Sequence, residues 1–198
     1  RIAEMLEGRR AQFIEELMQQ DATKAEAQRE VDLSIDRLVY YAGWCDKFQQ
    51  LYSTVNPVAS SHFNFSAPEP TGVVSIIAPQ NNSLIGLVSV IAPIIAGGNT
   101  CVVLASASKP LCAVTFAEVL GTSDVPGGTI NILTGKPGEL LSWFSDHMDV
   151  NAIVFCENDK EAILKIQQKA TLNLKRVLLW NNYNWLLETA QNPYLIND

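Results

Sequence analysis

The spacing of apolar residues predicts two amphipathic helices at the start of the chain. Between Ile2 and Leu17, apolar side chains recur at helical spacing against charged neighbours. Thr23 is followed three residues later by Glu26, which is the form of a capping box. It begins a second predicted helix, whose apolar stripe continues to about Leu51. Such a stripe needs a surface to pack against.

After Pro70, short runs of β-branched residues alternate with longer helical patterns, which is typical of βαβ units. The predicted strands are Val73–Ala78, Thr100–Leu104, Ile130–Leu133, Ala152–Phe155 and Val177–Trp180. The predicted helices are Leu84–Ala96, Leu111–Leu120, Glu139–Phe144 and Lys160–Ala170. Because strands buried on both faces are continuously apolar, the pattern predicts an α/β fold with a doubly wound, Rossmann-type parallel sheet of about five strands.

These patterns divide the chain into three segments of one structural unit. Residues 1–56 form an amino-terminal helical segment expected to pack on the sheet domain, and residues 57–70 form a loop or an edge strand, at His62–Phe65. Residues 71–198 form the α/β domain. Because the chain opens at Arg1 without an initiator Met, we expect it to be part of a longer protein.

Composition excludes several classes of function. A formal net charge of −7 offers no basic field for a phosphate backbone, so we expect no nucleic-acid partner. The longest apolar stretch, Leu84–Ala96, is shorter than the ~20 residues that span a bilayer, so no membrane association is expected. Four separated cysteines and two histidines predict no metal site, and they favour a reducing, cytoplasmic location.

Several short strings have a familiar order and spacing along the chain: Tyr40-Tyr41-Ala42-Gly43-Trp44, Pro70-Thr71-Gly72-Val73-Val74, Ala92-Pro93, Gly98-Asn99-Thr100, Asn131-Ile132-Leu133-Thr134-Gly135 and His147-Met148-Asp149-Val150. Through these strings the chain resembles the aldehyde dehydrogenase superfamily from roughly Glu4 to Leu179. The resemblance implies the amino-terminal half of that fold, with its coenzyme-binding sheet.

The positions that the resemblance assigns to the coenzyme carry unsuitable residues. The family's Lys and Glu, which hold the ribose hydroxyls, correspond to Leu104 and Ala107. The family's Gly-Ser-Thr stretch at the pyrophosphate corresponds to Glu157, Asn158 and Asp159. The carboxylates of Glu157 and Asp159 would repel a bound anion. The resemblance therefore predicts a degenerate coenzyme site and no cofactor.

The catalytic positions implied by the resemblance are also altered. Asn81 matches the oxyanion-stabilising Asn, although an Asn in a polar loop more often caps a helix or bonds its own backbone. Trp180 replaces the general-base Glu, and it is a hypothesis that its ring fills the old substrate channel. The nucleophilic Cys is absent, and Cys156 matches a family Thr. We predict no catalytic residue.

Within the superfamily, the chain is most similar to the truncated, noncatalytic second module of family 16 aldehyde dehydrogenases. This predicts a pseudoenzyme with a structural or interaction role, whose partner is a catalytic aldehyde dehydrogenase module or a second copy bound through an apolar face. The alternative is the coenzyme domain of an active enzyme that oxidises aldehydes to acids with NAD or NADP. A third hypothesis stays open, in which the chain is a binding module that holds a nucleotide in an altered pose.

Overall fold

The computed structural model describes all 198 residues. Its strands are β1 (Thr54–Asn56), β2 (Asn64–Ser66), β3 (Val73–Ile77), β4 (Thr100–Leu104), β5 (Ile130–Leu133), β6 (Ala152–Phe155) and β7 (Arg176–Leu179). Its α-helices are α1 (Ile2–Gly8), α2 (Arg10–Gln19), α3 (Lys24–Ala42), α4 (Phe48–Tyr52), α5 (Leu84–Ala96), α6 (Leu111–Gly121), α7 (Pro137–Asp146), α8 (Lys160–Ala170) and α9 (Tyr194–Asn197). None of the helices combines the length and apolar character needed to cross a membrane.

Strands β3 to β7 form one parallel sheet in the order β5-β4-β3-β6-β7, with helices on both faces. This confirms the predicted doubly wound sheet. Three of the five predicted strands have the predicted bounds, whereas β3 ends one residue earlier and β7 begins and ends one residue earlier. Strand β6, which lies between β3 and β7, is buried along its whole length, as its unbroken apolar run indicates.

The two faces of the sheet contribute to two cores of unequal size. On one face, Val103 and Val154 lie in a main cluster of 33 buried residues that also contains side chains of α1, α2, α3, α5 and α6. On the other face, Ile77 and Phe155 lie in a smaller cluster of seven buried residues with Phe144 of α7 and residues of α8. The amino-terminal helices therefore share the core that α5 and α6 form with the sheet.

The prediction of two amino-terminal helices is wrong in detail. The first helix is divided into α1 and α2 at Arg9, directly after Gly8, a residue with low helix propensity. The second helix begins with the predicted Thr23–Glu26 capping box but ends at Ala42, not near Leu51. A turn follows before the short helix α4.

The segment before the sheet contains a hairpin where the sequence predicts at most one edge strand. Strands β1 and β2 are antiparallel, with Val55 opposite Phe65, so the predicted strand at His62–Phe65 lies at Asn64–Ser66 instead. Each strand has only three residues, and their side chains are mostly exposed. A hydrophobic pattern therefore provides almost no signal for either strand.

Candidate functional site

The sheet has a topological switch point between β3 and β6. From β3 the chain proceeds to β4 and β5 on one side, and it then crosses to β6 and β7 on the other. In open α/β sheets, ligands bind outside the carboxyl ends of the strands at such a point. The crevice is formed here by the loops that follow β3, β4 and β6.

Gln80, in the loop after β3, connects all three loops. Its backbone N–H donates to Oε1 of Glu157 at 2.9 Å, which joins it to the loop after β6. Its side-chain Oε1 accepts from the N–H of Ala107 at 2.8 Å, and its carbonyl accepts from the hydroxyls of Ser106 and Ser108. Direct hydrogen bonds between the chain's own groups therefore cross the crevice.

The N-terminus of α8, which follows β6, is capped by a carboxylate of its own loop. Oδ1 of Asp159 accepts from the N–H groups of Glu161 and Ala162, at 3.0 and 3.1 Å. A phosphate bound at a helix N-terminus requires such N–H groups as donors. Here an anionic side chain already occupies them.

The helices after β3 and β4 receive acceptors from the amino-terminal helical segment, one from α3 and one from the residue that follows α2. Oε1 of Glu30, on α3, accepts from the N–H groups of Leu84 and Ile85 at the start of α5, at 2.9 and 3.0 Å. Oε1 of the buried Gln20 accepts from the N–H of Leu111 at the start of α6, at 3.0 Å. All three helices that begin beside the crevice thus have a side-chain acceptor from this chain.

The structure separates the two positions that the resemblance assigns to the ribose. Leu104 is completely buried and belongs to the smaller core, so its side chain is a packing residue. Ala107 is exposed, and only its backbone N–H takes part in the crevice, through Gln80. Asn158 is exposed as well, and its Nδ2 donates to the carbonyl of Asn181 at 3.2 Å.

The two positions assigned to catalysis have different environments. Asn81 is exposed, and its side chain makes no hydrogen bond within the chain, so it neither caps a helix nor bonds its own backbone, which were the two expected roles. Trp180 follows β7 directly, is 4% exposed and belongs to the main core. It also lines a cavity of about 60 Å³ with Val74 and Leu178.

All four cysteines are free thiols, and burial raises the pKa of each of them. It raises the pKa of Cys101 and of Cys112 to about 12. Burial, with a smaller contribution from Glu157, also raises the pKa of Cys156. Since the thiolate is the nucleophilic form, Cys156 is a poor nucleophile. No group of three or more His, Cys, Asp or Glu side chains is placed to hold a metal ion.

We expect iodoacetamide to modify only Cys45 in the native protein, because it is the one exposed cysteine. Mass spectrometry after a short incubation at mildly alkaline pH measures this directly. In denaturant all four cysteines react, which provides the control. Rapid modification of Cys156 under native conditions would contradict this picture of the site.

Sequence reasoning did not identify Gln20, Glu30 or Gln80. A signal was present for Glu30, because Glu30, Ser34, Arg37 and Tyr41 follow one another at helical spacing beside the apolar stripe of α3. A polar row at the edge of a buried face indicates buried hydrogen bonds. For Gln20 and Gln80 the pattern contains no comparable signal.

Comparisons with known proteins agree with this architecture. The sequence profile described as "Aldehyde dehydrogenase family" matches residues 1–181. Cytosolic 10-formyltetrahydrofolate dehydrogenase of Mus musculus is 33% identical over 186 residues, which cover 90% of this chain and 20% of that protein. Aldehyde dehydrogenase, cytosolic 1, of Elephantulus edwardii is 33% identical over 150 residues, which cover 76% of this chain and 29% of that protein.

A solved structure shows the same fold. The NAD⁺ complex of aldehyde dehydrogenase from Bacillus cereus superposes with a TM-score of 0.81 at 22% identity, covering 90% of this chain and 36% of that one. The chain thus spans about a fifth of the length of the mouse relative and about a third of this structure. By the profile match over residues 1–181, the chain belongs to the aldehyde dehydrogenase family.

Proposed function

We propose that the chain is a noncatalytic aldehyde dehydrogenase-like module with a structural or protein-interaction role, attached to a catalytic aldehyde dehydrogenase module. Its degenerate crevice would bind no NAD or NADP. Similarity to the second module of family 16 aldehyde dehydrogenases motivates this placement. Some relatives are named as cytosolic enzymes, which supports the cytoplasmic location included in the proposal.

The observation that carries the proposal is that the chain's own carboxylates already accept from N–H groups that border the crevice. Asp159 accepts from the N–H groups of α8, and Glu157 accepts from Gln80 across the switch point. A pyrophosphate would have to displace one carboxylate and approach the other, against repulsion from both. These residues do not fit a dinucleotide.

The positions that correspond to the family's ribose contacts and general base support the same conclusion. The buried Leu104 and the methyl group of Ala107 offer no hydrogen-bonding side chain to a ribose, and Trp180 cannot accept a proton. If each lost contact costs about 1–1.5 kcal/mol, two of them weaken coenzyme binding by roughly a hundredfold, before charge repulsion is included. The proposed module therefore contributes contacts rather than turnover.

The proposed partner is a catalytic aldehyde dehydrogenase module or a second copy, bound through an apolar face. The hairpin formed by β1 and β2 supports this part of the proposal. It presents Val55, Phe63 and Phe65 with 71, 75 and 62% of their surfaces exposed. The two phenylalanine rings lie side by side, with centroids 5.6 Å apart. Exposed apolar groups of this kind are typical of protein–protein contacts.

Titration of the purified chain with NAD and NADP tests the proposal. We expect neither heat of binding in calorimetry nor tryptophan quenching at millimolar coenzyme. Micromolar binding would contradict the proposal and favour the alternative, the coenzyme domain of an active NAD(P)-dependent aldehyde dehydrogenase.

A charge-neutralised variant separates the two causes of weak binding. The double substitution Glu157→Gln, Asp159→Asn removes both carboxylates but keeps an acceptor oxygen at each position. We expect it to remain without millimolar coenzyme binding, because the residues at 104 and 107 still lack ribose contacts. If this variant binds coenzyme and the wild type does not, charge alone is the barrier and the ribose argument is wrong.

A further inference from the structure

Residues 182–198, called the strap here, lie beyond the family match, which ends at residue 181. The strap leaves the sheet after Trp180, whose N–H donates to Phe155 in the last bond of the parallel ladder. It contains a short 3₁₀ turn (Glu188–Ala190) and α9. All of its backbone-to-backbone hydrogen bonds are local, such as Leu187 to Asn184 and Asp198 to Tyr194. No backbone-to-backbone hydrogen bond therefore ties it to another element.

Three apolar residues of the strap enter the main core. Trp185, Ala190 and Leu195 are 3, 2 and 3% exposed, and all three belong to the cluster that α3 and α5 share with the sheet. The ring of Tyr183 stacks on Trp185, with centroids 4.9 Å apart. The strap is therefore docked over the seam between α3 and α5 by regularly spaced anchors.

Arg37, on α3, provides the polar half of this docking. It is completely buried and donates to the carbonyls of Trp185 and Leu187, at 2.9 and 3.1 Å, and to the hydroxyl of Ser89 on α5. No carboxylate accompanies it, and its Nε has no acceptor. Nearby, the hydroxyl of Tyr41 donates to the carbonyl of Asn192 at 3.1 Å.

The buried guanidinium has only neutral acceptors, and two of the three are carbonyls of the strap, so its hydrogen bonding depends on that segment. If the strap leaves, Arg37 regains water, while Trp185 and Leu195 lose their buried positions. Because no backbone-to-backbone hydrogen bond ties the strap to another element, the strap can open without breaking the sheet or a long helix. Segments of this kind open as separate cooperative units.

We propose that the seam between α3 and α5 is a recognition surface for an extended segment with a tryptophan anchor. The strap occupies this surface within the same chain, and Arg37 recognises the strap through its backbone carbonyls. The strap docks and releases as one unit. When released, it leaves an apolar seam with a cationic centre. The same segment of a second copy has the chemistry to fill that seam.

Hydrogen exchange of the full chain, followed by mass spectrometry, tests the role of Arg37. We expect Arg37→Met to raise exchange in residues 185–198 roughly tenfold or more, while β3 and β6 keep the wild-type rate. Arg29→Met is the matched control, because Arg29 lies on the same helix but is exposed and reaches the strap only through a 3.5 Å contact to Leu186. It should leave the strap unchanged.

Two outcomes of the exchange experiment would overturn the proposal. Unchanged exchange in Arg37→Met would show that Arg37 does not hold the strap, and a uniform rise over the chain would show that the strap is part of the global core. If Arg37→Met does not fold, Tyr41→Phe replaces it, since it removes only the hydroxyl that donates to Asn192. Tyr41→Phe is expected to speed hydrogen exchange only in residues 190–198. If exchange in these residues does not change, the proposal is wrong.

A nicked protein tests release and recognition directly. A protease site is introduced in the turn at residues 181–182 of the full chain, where Asn181 is half-buried and Asn182 is exposed, and it is cleaved after purification. We expect the cleaved strap to remain bound during gel filtration, to exchange with a labelled synthetic peptide of residues 182–198, and to be lost from Arg37→Met. A strap that never exchanges, or a nicked protein that unfolds, would contradict docking as a separate unit. A dimer joined by exchanged straps would support the recognition surface.

Discussion

Trp180→Glu is expected to destabilise the protein by about 4 kcal/mol or more at neutral pH, without producing aldehyde dehydrogenase activity. The substitution restores the residue type that the family places at the general-base position. In this chain the position is 4% exposed and belongs to the main core. The variant therefore loses the packing of a large aromatic side chain and gains a carboxylate in an apolar environment.

Urea denaturation of Trp180→Glu and wild type measures this difference, and Trp180→Phe is the control. The phenylalanine variant keeps most of the apolar contact, so we expect a loss of only about 1–2 kcal/mol. The gap between the glutamate variant and wild type should narrow at pH 4, because protonation of the introduced carboxyl removes its desolvation cost. A stable glutamate variant that oxidises aldehydes with NAD would contradict the pseudoenzyme proposal.

Glu30→Ala is expected to lower the free energy of unfolding by about 3 kcal/mol. The carboxylate of Glu30 accepts from the N–H groups of Leu84 and Ile85, and both residues are completely buried. Without it, two N–H groups at the start of α5 have no acceptor and little access to water. The favourable interaction between a carboxylate and the positive end of the helix dipole is lost as well.

Chemical denaturation of two further variants assigns the cause of this loss. Glu30→Gln keeps an acceptor oxygen and removes only the charge, so we expect a loss of about 1 kcal/mol. Glu26→Ala, on the same helix, removes half of the exposed capping box and should also cost about 1 kcal/mol. If Glu30→Ala is no worse than Glu26→Ala, the nonlocal cap of α5 contributes little to stability.

The sheet was predictable because its pattern is local and strong. Each strand of the domain is a run of four or five mainly apolar residues between turn residues, and the helices between them have clear periodicity. The hairpin was not predictable, because three-residue strands with exposed side chains carry no periodic signal. Its strands become visible only through the pairing of residues about ten positions apart.

The candidate site was predictable only at the level of residue identity. Alignment with the family assigns Leu104, Ala107 and Glu157 to coenzyme positions, but the sequence does not reveal that Leu104 is a core residue or that Glu157 accepts from Gln80. The expectation that Asn81 caps a helix or bonds its own backbone is wrong, because its side chain makes no hydrogen bond. The acceptor for α5 comes instead from Glu30, 54 positions away from Leu84. The helical row that contains Glu30 indicates buried hydrogen bonds, but it does not identify their partners, which lie far away in the chain.

The sequence by itself determined the doubly wound sheet and the family of the chain. It also determined which residue types stand at the family's coenzyme and catalytic positions. Strand and helix signals extend over a few neighbouring residues, so they survive without the fold. Only the tertiary structure decided which side chains fill the helix N-termini beside the crevice, and that residues 182–198 return to Arg37 over the α3–α5 seam. These contacts join residues far apart in the chain. A buried N–H group or guanidinium without an acceptor is unfavourable, but these groups become buried only when the core assembles, so the contacts depend on the tertiary structure.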